Sequence, residues 1–132
     1  MASAGDIVRA FIARWEEPDG FRAAVERWFT DATVWENVGL ITTTGKAEAV
    51  GFYEQFSAQT GMAAMKIEMR ALAESGGKVL TERIDYILDA AGNAVMTVPV
   101  MGIFEIEDGR IVAWRDYFDT IANSGTDSPP SG

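Results

Sequence analysis

The chain contains no cysteine and no histidine. The first absence excludes disulfides and thiolate metal sites, and gives secretion no support. The second removes Ser-His and Cys-His nucleophile chemistry and the commonest metal ligand. Any acid–base work therefore falls to Asp, Glu, Tyr, Lys or water. Positive charge is also scarce: 11 Lys and Arg stand against 20 Asp and Glu, giving a net charge of −9 and a pI near 4.4. That balance argues against nucleic acid or an anionic membrane as a partner. No apolar run approaches the roughly 18 residues needed to span a bilayer. The start, MASAGDIVRAF, lacks the basic region and apolar stretch of a signal peptide. A cytoplasmic location is the default expectation.

What is present suits one globular domain, read here as residues 1–122, followed by a polar, Pro-containing tail, NSGTDSPPSG (123–132), expected to be disordered. Ile7, Val8, Phe11, Ile12 and Trp15 recur at helical spacing, with Asp6 as the expected cap. After a break at Pro18-Asp19-Gly20, residues Phe21, Ala24, Val25, Trp28 and Phe29 predict a second helix capped by Asp19. ATVWENV (32–38) reads as a strand and GLITTTG as a loop. A third helix is expected over Lys46–Ala58, with Ala49, Val50, Tyr53 and Phe56 as its apolar stripe. Segments 63–74, 78–89, 94–107 and 110–119 read as strands joined by turns at Gly76-Gly77, Ala91-Gly92-Asn93 and Asp108-Gly109. Helices followed by antiparallel strands predict an α+β domain, with helices covering one face of a curved sheet and enclosing a pocket.

Several polar residues fall in awkward places. In TERID (81–85), Arg83 and Asp85 stand two apart, so a strand points both at the face that also carries Val79, Thr81 and Ile87. The opposite face, Leu80, Glu82, Ile84, Tyr86 and Leu88, is not cleanly polar either, so both faces are expected to be covered, one of them by a second subunit. On this local pattern a surface ion pair is the simplest account of Arg83 and Asp85; a catalytic site is the sharper one. In the last strand Trp114, Asp116 and Phe118 share a face. Burying a lone carboxylate among aromatics is costly unless it is partnered, and the bland alternative is an Asp at the rim bonded to backbone amides. Thr33, Trp35 and Asn37 also share a face, where Trp35 is most simply core and Asn37 the start of a turn. GLITTTGK lacks the spacing and ending of a phosphate loop. Met62, Met65, Met69, Met96 and Met101 read as core or pocket filler, and Glu16, Glu17, Glu105, Glu107 and Asp108 as solvated surface.

Taken together, TERIDYI (81–87), MGIFEI (101–106) and DGRIVAWRDYFD (108–119) resemble the limonene-1,2-epoxide hydrolase family. IVRAFIARW and DATVWENV fit the same pattern in the same order, so the resemblance runs over about residues 6–120. It implies a cone-shaped α+β fold of the nuclear-transport-factor-2-like kind, a cystatin-like roll with a curved mixed sheet against N-terminal helices. It further implies an Asp–Arg–Asp array in an apolar pocket, working without cofactor or metal. On that reading Asp116 is the general base that takes a proton from water, and Asp85 the general acid that protonates the epoxide oxygen. Arg83 bonds both carboxylates and Asn37 helps to hold the water.

The physical logic stands beside the resemblance. Epoxide opening needs an activated water and a neutralised oxyanion. Two carboxylates in one apolar cavity do not both ionise cheaply, so one is an acid and the other a base. A shared Arg fixes their geometry. One departure is visible: the family usually has a water-holding tyrosine where this chain has Trp35, and an indole N–H donates but accepts nothing. Strand parity and the family's lining positions place Ile87, Val98, Val100 and Phe118 against the substrate, with Trp35, and Met101 or Leu40 near the mouth. The implied partner is a small apolar epoxide, and a homodimer is expected. Two other readings stay open: a polyketide-cyclase-like or ketosteroid-isomerase-like enzyme with an Asp base, and a non-catalytic small-molecule binding domain.

Overall fold

The structure, a computed structural model, describes residues 2–122, so the tail expected at 123–132 lies outside the described residues. The first helix, α1 (Ala4–Arg14), is capped by Ser3 rather than by Asp6. The Ser3 hydroxyl accepts from the Asp6 amide at 3.0 Å and the Asp6 carboxylate accepts from the Ser3 amide at 3.3 Å. This reciprocal capping box places the cap three residues before the expected one. Helix α2 (Gly20–Trp28) does follow Asp19, but Asp19 adopts a left-handed conformation and makes no capping bond; its carboxylate pairs with Arg22 at 3.2 Å instead. Phe29, expected to end that helix, has extended backbone and opens strand β1 (Phe29–Asn37).

GLITTTG is not simply a loop. Ile41–Thr44 form a short strand, β2, paired antiparallel with β1. Helix α3 (Gly45–Thr60) follows, slightly longer than its apolar stripe predicts. The four remaining strands are β3 (Ala64–Ser75), β4 (Lys78–Leu88), β5 (Ala94–Glu107) and β6 (Arg110–Tyr117). Asp108 and Gly109 both have positive φ, the signature of a tight hairpin turn matched to strand twist. The six strands form one mixed sheet in the order β2-β1-β6-β5-β4-β3. Its single parallel pairing joins β1 to β6.

Three helices cover one face of this sheet, giving the expected α+β cone. Phe11 of α1 sits at the centre of the core, ringed by Trp15, Phe21, Phe29, Phe104 and Trp114 at centroid distances of 5.4–6.5 Å. Burying each such ring contributes on the order of 2–3 kcal/mol. The aromatic packing therefore pins helices α1 and α2 against β5 and β6, and the adjoining part of the sheet face is left for polar groups. Among the described residues no helix is long and apolar enough to cross a membrane.

Candidate active site

Four strands bring their polar residues into one row. Thr81 on β4 pairs with Gly102 on β5, Gly102 pairs with Asp116 on β6, and Asp116 pairs with Asn37 on β1. Parity points all of them, with Arg83 and Asp85, toward the helices. The gap in the row is Gly102, and it is what lets the guanidinium of β4 reach across β5. A Cβ at position 102 would lie 2.5 Å from both Arg83 Nη1 and Asp116 Oδ1.

Through that gap Arg83 uses every N–H it has. Its Nε donates to Asp85 Oδ1 at 2.9 Å, and Nη2 donates to Asp85 Oδ2 at 3.0 Å and Asp116 Oδ2 at 2.7 Å. Nη1 donates to Asp116 Oδ1 and to Thr81 Oγ1, both at 3.2 Å. Thr81 in turn donates to the Gly102 carbonyl at 3.2 Å, which leaves its lone pairs for the arginine. The Trp15 ring lies 5.5 Å below the guanidinium. Asp116 gains one more donor: Trp114 Nε1 bonds its Oδ1 at 2.7 Å. The surface ion pair that the local pattern of TERID favours is thus a buried one, with the Arg83 side chain 0% exposed against 14% for Asp85 and 7% for Asp116.

Burial opposes the charge on Arg83, yet Asp116 and Asp85 outweigh it, and its pKa rises above the ordinary guanidinium value. It stays a cation at any working pH. Burial also raises the Asp116 pKa above the ordinary carboxylate value; Arg83 and the Trp114 N–H pull it down, and the nearby Asp85 pushes it up. The result is a carboxylate with more than usual affinity for a proton, the direction that suits a general base.

The array sits on the wall of a cavity of about 330 Å³. Of the residues singled out from sequence, Asp85, Asp116, Asn37, Trp35, Ile87, Val98, Val100, Phe118 and Leu40 line it, and Arg83 lies behind the two carboxylates. Met101 does not. It follows Val100 by one residue, so the pleat turns it to the outer face, where it is 52% exposed. Sequence reasoning did not anticipate the wall from α3, made of Phe52, Tyr53, Phe56 and Gln59, or the parts played by Thr81, Gly102 and the Trp114 N–H. Thr81 was visible in the same parity that paired Arg83 with Asp85. Trp35 packs face to face on Trp114, with centroids 4.6 Å apart and planes 7° from parallel. Its own indole N–H is buried without a hydrogen-bond partner among the described residues.

Comparison with known proteins shows the family and the fold. Residues 2–123 match the limonene-1,2-epoxide hydrolase catalytic domain. Epoxide hydrolase EphG of Mycobacterium tuberculosis is 34% identical over 89 residues, a stretch covering 67% of this chain and 56% of that protein, so the chain aligns with little more than half of that relative's length. Among solved structures, an M. tuberculosis epoxide hydrolase of the limonene-1,2-epoxide hydrolase type superposes with a TM-score of 0.70 at 29% identity, over 89% of this chain and 84% of that one. A protein from Jannaschia sp. CCS1, described as a SnoaL-like polyketide cyclase, shares the fold with a TM-score of 0.73 at 15% identity, over 98% of each chain. With an α+β cone, an array spanning β4 and β6, and a family match over all described residues, the chain belongs to the limonene-1,2-epoxide hydrolase family.

Proposed function

We propose that this chain hydrolyses a small apolar epoxide to a vicinal diol in one step, without cofactor or covalent intermediate. The observation that carries the reading is Arg83, which gives four of its five N–H bonds to two carboxylates on the wall of an apolar cavity and the fifth to Thr81. Asp116 Oδ1 already accepts two N–H bonds, while Oδ2 accepts one and keeps a lone pair for a water proton. Asn37, its neighbour in register and lining the same cavity, supplies an amide to hold that water. The water proton passes to Asp116 as its oxygen bonds to an epoxide carbon. The carbon–oxygen bond breaks, and the freed oxygen takes a proton from Asp85. One proton is taken and one given, so the array ends with its charge unchanged and Arg83 ionised throughout.

The test is an epoxide panel (limonene oxide, cyclohexene oxide, styrene oxide) run on wild type, Asp116→Asn and Trp35→Tyr. Diol is expected from wild type, and Asp116→Asn should lose at least a hundred-fold in rate while remaining folded, the scale of a lost general base. A single turnover in heavy-oxygen water should put the label directly into the diol. Label appearing first in an Asp side chain would mean an ester intermediate and overturn the one-step route. No diol from any epoxide, together with exchange of the α-protons of a cyclic ketone, would assign the array to proton abstraction instead.

A further inference from the structure

The tryptophan pair beside the array does more than pack. Trp114 donates its N–H to Asp116 Oδ1 at 2.7 Å, the same oxygen that Arg83 Nη1 reaches at 3.2 Å. Its ring is fixed on both flanks. Trp35 stacks at 4.6 Å and 7°, and Phe104 stacks at 5.3 Å and 16°. A ring clamped in that way cannot swing, so the direction of its N–H is set by the stack. Trp35 lines the same cavity, but its N–H is buried and unpartnered among the described residues. The indole that stands where the family has a tyrosine is therefore poorly placed to hold a water, and well placed to hold Trp114.

We propose that Trp114 is the positioning residue of the base, and that Trp35 acts on catalysis through Trp114 instead of through the water. Trp114 anchors Asp116 Oδ1 and so turns Oδ2 toward the cavity; Trp35 keeps the anchor in line. This rests on the hydrolase reading. The ionisable groups facing Asp116 are Arg83 and Asp85 from β4, with Tyr53 of α3 lining the same cavity; among the described residues no ionisable side chain of α1, β1 or β5 lines it. The Trp114 N–H favours the ionised carboxylate, so its removal moves the titration of Asp116 upward.

The decisive variant is Trp114→Phe, which keeps a ring in the stack and removes the N–H. Carboxyl-carbon NMR of wild type and variant, with Asp116→Asn assigning the resonance, should show Asp116 titrating about one pH unit higher in the variant, the scale of one lost hydrogen bond to a charged group. The acid limb of the kcat/KM profile should move by the same amount, with kcat reduced about ten-fold at the optimum and KM little changed. Trp35→Leu should shift the titration in the same direction, whereas Trp35→Phe, which restores a stacking ring, should return it toward wild type. If Trp114→Phe fails to fold, the benzothiophene analogue of tryptophan at position 114 keeps the ring's shape without its N–H, and the same shift is expected. An unmoved titration and acid limb overturn the role of Trp114. A shift in Trp114→Phe with none in Trp35→Leu overturns that of Trp35. Because the titration needs no substrate, a wild type that makes no diol would defeat the hydrolase reading separately.

Discussion

At the scale of single residues, the array is balanced by Arg83, and the two kinds of deletion should differ sharply. Removing Arg83 leaves two carboxylates buried side by side, so Arg83→Leu is expected to cost about 3–5 kcal/mol in urea unfolding. Asp116→Asn leaves one guanidinium facing one carboxylate, and its stability at neutral pH should stay near wild type or exceed it. The pH dependence gives a second check. The pKa of Asp116 is raised in the folded chain, chiefly by burial, so the folded state keeps this proton to a higher pH than the unfolded state does. The contribution of Asp116 to stability is thus present below its unfolded pKa, about 4, and is lost as pH rises through the folded value. Asp116→Asn lacks this dependence, so unfolding measured from acid to neutral pH should show the variant gaining on wild type. The reverse trend would mean that Arg83 and Trp114, not burial, govern this carboxylate.

At the scale of elements, the site depends on strand β5 supplying nothing at one position. Gly102→Ala places a methyl 2.5 Å from Arg83 Nη1 and Asp116 Oδ1, and both must move. A displacement of that size should cost on the order of a hundred-fold in kcat, with fluorescence of the tryptophan core reporting an intact fold. Parity on the same strand can be tested by a pair: Val100→Ala should change KM for the epoxide, while Met101→Ala, on the outer face, should not. Parity also explains what could be read in advance. A period of two puts Arg83 beside Asp85 and Asp116 beside Trp114, because strands alternate whatever surrounds them. It equally excluded Met101, whose placement at the mouth set nearness in sequence above the pleat. The α3 wall was harder. A 3.6-residue stripe shows that Val50, Tyr53 and Phe56 form one apolar face, but not that this face lines a cavity. Strand β2 was hidden because ITTT carries hydroxyls and only Thr43 is buried, so no alternation of hydrophobicity marks it. The lane at Gly102 needed the register of three strands, which no local pattern encodes.

At the scale of the whole molecule, the back of the sheet carries exposed apolar side chains. Leu80, Met101 and Tyr117 are 42–52% exposed there, and Met101 is the register partner of both Glu82 on β4 and Tyr117 on β6. These exposed apolar positions, with Glu82 and Arg70 among them, run across the strands whose inner side carries the array. A second copy is the occupant expected from the sequence, and charge constrains how it could bind. Two chains of −9 repel one another, so a stable pair has to be held by apolar contact rather than by ionic attraction. Leu80→Glu combined with Met101→Glu should then give a monomer in sedimentation equilibrium, while wild type is expected to sediment as a dimer. Salt provides the sharper test. Screening weakens the repulsion between like-charged chains and leaves apolar burial intact, so the wild-type dimer should tighten as sodium chloride rises from about 0.01 M to 0.15 M, where the screening length falls from about 30 Å to 8 Å. Ion pairs across the interface would respond in the opposite way. A dimer that loosens with salt, or a wild type that is monomeric at every salt concentration, would remove this face from the interface.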